Sequence, residues 1–203
     1  MKLPVLPPPC AENMKVREGI YLVKPGKVIY DEVSVQYASS SVVLIDDGKL
    51  ILVDTALSED WPLLLEGIRR AGFHPSEVEM VVNTHLHPDH MGCNDKFEAE
   101  HYAHPLEIER TGVDGYLPCP SKLSARVKVM ETPGHVEGHL SVLFEGVVVA
   151  GDAIPTRKHH EEGIIPRIHT NAEKARESMR RIAEVAEVII PGHDLPFGVR
   201  KRV

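Results

Sequence analysis

The chain has 203 residues and a formal net charge of −7, long enough to bury a sizeable core without disulfide staples and too acidic for a broad grip on phosphate backbones, so nucleic acid is a poor partner. Three widely spaced cysteines, Cys10, Cys93 and Cys119, argue against a disulfide framework and for reduced thiols. No apolar run approaches the ~20 residues of a bilayer span and the opening MKLPVLPPPC is proline-broken rather than a basic-then-apolar leader, so a cytoplasmic protein with no membrane partner is expected.

Gln36 is the only glutamine and Asn13, Asn83, Asn94 and Asn171 are the only asparagines, beside 16 prolines. Scarce amides with abundant Glu, Lys and Arg predict a thermophilic source. One domain over residues 1–203 is expected, with residues 1–15 as an extended N-terminal arm.

Residues 19 to 54 carry three apolar, β-branched runs, GIYLVK, VSVQYASSSVVLID and KLILVD, the last two joined at Asp47-Gly48, a hairpin dipeptide. They predict an antiparallel meander. Trp61, Leu64, Leu65 and Ile68 then recur at helical spacing, with Pro62 in the first turn and Gly72 ending the pattern. A short strand at Val78–Val82 leads into NTHLHPDH. After it, strand-like AEHYA, VKVMET, LSVLFEG and VVVAGD alternate with helix-like PLEIERTG. Thr170 to Glu173 reads as a capping box ahead of a helix whose apolar stripe is Ala172, Ala175, Met179, Ile182 and Ala186, and EVIIPGHD is a last strand. Strands followed by helix-strand alternation, twice over, predict an α/β fold with two sheets in a sandwich and helices outside.

The segment His85-Leu86-His87-Pro88-Asp89-His90 concentrates ligand-type side chains. On a strand exit His85 and His87 can project to one side and chelate one ion. Asp89 and His90 follow the turn at Pro88 and point elsewhere, which is awkward for one ion and convenient for two. Imidazole and carboxylate donors suit zinc, with iron or manganese as alternatives. Three further strands end on a Gly-containing turn and a ligand-type residue: TPGH with His135, GD with Asp152, and PGH with His193.

This ordered set, with VDTA at 53–56 upstream, resembles the metallo-β-lactamase superfamily over nearly the whole chain, on the branch of lactonases and glyoxalase II-like thioesterases. The resemblance implies a four-layer αββα sandwich of two mixed sheets and a site for two zinc ions per chain. His85, His87 and His135 would hold the first ion, Asp89, His90 and His193 the second, and Asp152 would bridge them. Asp89 would also be catalytic, orienting the attacking hydroxide and moving its proton. Asp54 is a second-sphere candidate, accepting a histidine N–H or steadying the ligand loop.

The implied function is a substrate-tolerant hydrolase of small-molecule esters, lactones or thioesters. A phosphodiesterase or phosphotriesterase is the alternative within hydrolysis, and a mononuclear-iron persulfide dioxygenase the alternative outside it. Gly138-His139 after TPGH favours carboxylic substrates, while all five tyrosines lie upstream of GD, which disfavours a homoserine lactonase with its downstream tyrosine. The segment from Ala153 to His169 lacks clear periodicity and reads as a loop over the site, offering Arg157, Lys158, His159, His160, Arg167 and His169 to an anionic substrate; His139 joins them as a substrate contact. A homodimer is the default assembly, through the Trp61 helix, Phe97 or the proline-rich N-terminus.

Overall fold

The computed structural model describes residues 15–31 and 34–199. The chain enters on β1 (Lys15–Arg17) and β2 (Ile20–Lys24), forms a separate hairpin from β3 (Lys27–Tyr30) and β4 (Val35–Ser39), and returns through β5 (Val42–Asp46) and β6 (Leu50–Val53). Helix α1 (Trp61–Arg70) carries it to β7 (Met80–Val82), and the short α2 (Pro88–Met91) precedes β8 (Glu100–Ala103), α3 (Pro105–Thr111) and β9 (Tyr116–Pro118). Strands β10 (Val127–Glu131), β11 (Leu140–Phe144) and β12 (Val147–Gly151) follow, then α4 (Arg157–Glu162), α5 (Ala172–Val185), β13 (Val188–Pro191) and β14 (Phe197–Gly198).

One sheet has the order β1-β2-β5-β6-β7-β8-β9 and the other β10-β11-β12-β13-β14. The first is antiparallel from β1 to β6 and parallel from β6 to β9. The second is antiparallel apart from the β12–β13 pair, whose crossover contains α4 and α5.

The apolar runs are continuous because both faces of each central strand are covered. Along β5, Val43 and Ile45 face the second sheet while Val42 and Leu44 face α1; along β6, Ile51 and Val53 do the first and Leu50 and Leu52 the second. In β12, Val147 and Val149 join the inter-sheet core with Phe144 and Ile190, whereas Val148 and Ala150 pack under Met179, Ile182 and Ala186 of α5. The α1–sheet–sheet–α5 order is the expected four-layer αββα sandwich. Helix α1 lies so close to β2 that a Cβ at Gly67 would sit 1.7 Å from Val23 O, an approach only glycine allows. Phe144 is fully buried between the sheets, so Phe144→Ala should cost about 3–5 kcal/mol, read as a lowered midpoint in urea unfolding.

Four expectations are corrected here. The run VSVQYASSSVVLID is two strands in different sheets, because Ser39 O, Ser40 N–H and Ser41 N–H bond to His193, Asp89 and Gly192 rather than to a strand ladder. Helix α5 is capped by Asn171, whose side chain accepts the Lys174 N–H at 2.9 Å, while Thr170 Oγ1 donates to Gly134 O; there is no Thr170–Glu173 capping box. Residues 157–162 wind into α4 rather than a loop. Phe97 is buried, with Trp61 edge-on against it at 5.8 Å, so Phe97 itself offers no dimer contact. The meander itself stands, with β2, β5 and β6 antiparallel and Gly48 at φ 75° in the turn. The N-terminal arm, but for residue 15, and Cys10 lie outside the described residues; Cys93 and Cys119 are free thiols. Among the described residues no helix is long and apolar enough to cross a membrane.

Candidate metal centre

Strands β6, β7, β12 and β13 run parallel in pairs, so their carboxyl ends deliver Asp54, the segment from His85, Asp152 and His193 to one edge of the sandwich. The turn after β10 adds His135, and α2 begins at Pro88 and turns Asp89 and His90 back toward that edge. Ligand atoms then converge in three overlapping groups, His85–His87–His135, His85–His90–Asp152 and Asp89–His90–His193, each within 4.8 Å of one another.

Nitrogen faces nitrogen in the first group: His87 Nδ1 lies 2.9 Å from His85 Nε2 and 3.1 Å from His135 Nε2. In the last, Asp89 Oδ2 lies 3.8 Å from His90 Nε2 and 3.6 Å from His193 Nε2. Asp152 stands between them. Its Oδ2 is 3.5 Å from His135 Nε2, and its Oδ1 is 3.0 Å from His193 Nε2 and 3.5 Å from His90 Nε2. His90 Nε2 and Asp152 Oδ1 are buried with no hydrogen-bond partner among the described residues. Buried polar atoms are normally satisfied, and a cation between these donors would satisfy both, so the residues fit a bound metal. Gly192 makes room for the carboxylate, since a Cβ there would meet Asp152 Oδ1 at 2.2 Å.

The model of the metallo-beta-lactamase superfamily matches residues 35–115 and 120–193. A probable metallo-hydrolase of Methanocaldococcus jannaschii is 31% identical over 145 residues, covering 71% of this chain and 70% of that protein. The metallo-beta-lactamase domain-containing protein 1 of Xenopus laevis is 35% identical over 175 residues, 81% of this chain and 74% of its own. Among solved structures, a mutant of B. thuringiensis AiiA with N-decanoyl-L-homoserine bound superposes with a TM-score of 0.69 at 22% identity, over 86% of this chain and 92% of that one. The chain belongs to the metallo-beta-lactamase superfamily. It is a metal-dependent hydrolase.

The electrostatics of this metallo-hydrolase divide the histidines. Burial, reinforced by neighbouring imidazoles, holds His85 well below the ordinary histidine range and brings His87 down to about 4, so both present free lone pairs near neutrality. Burial also opposes protonation of His90 and His193, but the carboxylates of Asp54 and Asp152 outweigh it at His90 and that of Asp152 at His193, and both are raised. At Asp152 burial is outweighed by His193 and His90, which hold it well below the carboxylate range. A field that favours protons on two imidazoles also favours a divalent cation there.

Each imidazole is aimed by its other nitrogen or by the chain beside it. His135 Nδ1 bonds Ile168 O at 2.7 Å, His193 Nδ1 bonds Ser39 O at 3.0 Å, and His90 Nδ1 bonds Asp54 Oδ2 at 2.8 Å. Asp54 Oδ1 also accepts the Thr84 N–H at 2.8 Å. Sequence reasoning missed Glu107, a buried carboxylate of α3 that accepts the Leu86 N–H, between His85 and His87, at 3.1 Å. It also missed Thr84, whose hydroxyl donates to Asp54 Oδ2 at 2.9 Å. Neither carries a motif; a glutamate with Arg110 three residues on looks like any helix surface pair.

The cleft over the centre, about 100 Å³, is walled by Val28, Tyr30, Val35 and Ala38 of the β3–β4 hairpin and by Pro155, Pro166, Arg167 and Ile168 opposite. Tyr30 reaches it from upstream, so position in the chain does not exclude a site tyrosine. Most of the expected substrate contacts lie elsewhere. His139 is fully buried: its Nε2 accepts the Asp152 N–H at 3.0 Å and its Nδ1 meets Thr132 Oγ1 at 2.8 Å, leaving nothing for substrate. Arg157 and His160 of α4 lie against the Phe197 ring; His159, whose Nδ1 bonds Thr156 Oγ1, lies close enough to Asp152 and His193 to feel their charges without lining the cleft. His169 lines a second cleft that shares His87, His135 and Ile168 with the first.

Proposed function

We propose that this metallo-hydrolase binds two zinc ions and cleaves small carboxylic substrates, namely esters, lactones or thioesters. The observation that carries the two-ion reading is the orientation of Asp152, whose Oδ2 faces the His135 side and whose Oδ1 faces His90 and His193. When bound, such a pair lowers the pKa of a water and polarises the oxygen of the bond under attack. Asp89 sits half-buried at the cleft, with Oδ2 within 3.6 to 3.8 Å of His193 and His90, placed to orient a nucleophilic water and carry a proton to the leaving group. The β3–β4 hairpin forms one wall of the cleft.

The walls favour carboxylic over phosphoester substrates. Phosphoryl transfer calls for cationic clamps on non-bridging oxygens, yet among the described residues Arg167 is the only Lys or Arg lining the cleft, and its guanidinium lies over the Tyr30 ring at 5.6 Å. Arg157 is paired with Glu161 and Lys158 faces Glu162. The lactone-related ligand of the superposable AiiA structure agrees with this reading.

The test is a panel of p-nitrophenyl esters, lactones, thioesters and bis-p-nitrophenyl phosphate. Carboxylic substrates should turn over faster than the phosphodiester, with activity lost on chelation and restored by zinc. Preference for the phosphodiester would overturn the substrate class.

A further inference from the structure

A buried ion pair is costly and is retained where it fixes one arrangement of the chain. One such pair lies outside the ligand set. Lys24, at the end of β2, and Asp60, just before α1, are 5% and 6% exposed, with Nζ 3.3 Å from Oδ2. The ammonium has an acceptor for each proton: Asp60, Ser39 Oγ at 2.6 Å and Ser40 O at 2.9 Å. Ser39 Oγ in turn donates to Asp60.

What the pair grips is the turn Ser39–Ser41 that separates β4 from β5. Ser39 O accepts the His193 Nδ1–H at 3.0 Å, Ser40 N–H donates to Asp89 O at 3.0 Å, and Ser41 N–H donates to Gly192 O at 2.6 Å. Gly26 closes the junction from outside, donating its N–H to Ser41 Oγ at 3.1 Å. All three backbone contacts serve one half of the centre. The other half is held by groups outside this turn, His135 by Ile168 O and the His85–His87 segment by Thr84 and Glu107.

We propose that Lys24 and Asp60 are positioning residues for the Asp89–His90–His193 half of the centre, acting through the Ser39–Ser41 turn, so that the two halves can be uncoupled. The inference rests on the two-ion reading above. Metal-free protein is dialysed against buffered zinc, bound zinc is counted by elemental analysis, and folding is followed by thermal melting. Wild type should take up two ions. In K24M/D60L, where apolar side chains replace the pair, the weaker ion should lose on the order of tenfold or more in affinity while the tighter one is kept; K24R should retain both. If the double variant does not melt cooperatively, D60N takes its place in the same titration. Two ions bound with wild-type affinity in the variants, or equal weakening of both, would overturn the proposal. Uptake of one ion by wild type would instead overturn the two-ion reading.

Discussion

His87→Ala leaves a folded protein whose kcat/KM for its carboxylic substrates is lower by on the order of 10²–10³-fold or more, the scale set by removing one group that stabilises developing charge. Of the seven clustered histidine and aspartate residues only His87 and Asp89 are part-exposed, and the backbone of His87 is held from elsewhere, by Pro88 at the helix start and by the Leu86 N–H bond to Glu107. Its ring contributes Nδ1 within 3.1 Å of two other ligand nitrogens, so alanine removes a donor from the first group without opening the core. Circular dichroism with steady-state kinetics separates the two effects. Full activity in a folded variant would remove His87 from the site.

Asp54→Ala should be costly in a different way, through stability as well as metal affinity. The carboxylate is buried and accepts three donors, His90 Nδ1–H, Thr84 N–H and Thr84 Oγ1–H, at 2.8 to 2.9 Å. Each buried donor left unpaired costs about 1–3 kcal/mol, and because the three share one carboxylate the total is expected at about 3–5 kcal/mol. The residue also holds φ at 59°, a conformation alanine tolerates poorly and asparagine better, so Asp54→Asn should recover part of the loss. Urea unfolding of the metal-free protein measures the stability term, and zinc titration should show affinity reduced by about 10–100-fold. A wild-type unfolding midpoint for Asp54→Ala would show that the carboxylate supports nothing.

The legible part of the site was local. His85, His87, Asp89 and His90 are packed into one strand exit, and His135, Asp152 and His193 each follow a glycine-bearing turn at a strand end, so pattern and position agreed. The layers were legible for a similar reason, since β5, β6 and β12 are apolar on both faces and must be covered twice. What escaped was held by long-range partners. Glu107 acts on a backbone N–H 21 residues away, and Ser39 on an imidazole 154 residues away; a serine run carries no sign of which backbone it will bond.

The substrate side misled for a physical reason. The histidines and cations of 153–169 are polar enough for a binding loop, but α4 turns Arg157 and His160 onto Phe197, and His139 is consumed in holding Asp152. The cleft wall comes from the β3–β4 hairpin, whose four-residue strand carrying Tyr30 is mostly exposed and too short to stand out.

The hydrolytic centre proposed around Asp152 is built for two ions. Its most direct test is to load metal-free protein stepwise with zinc while following ester hydrolysis and bound metal together. Two ions per chain are expected, with hydrolysis that rises with loading and vanishes on chelation. One tightly held iron per chain, with oxygen consumption and no ester or lactone hydrolysis, would contradict it.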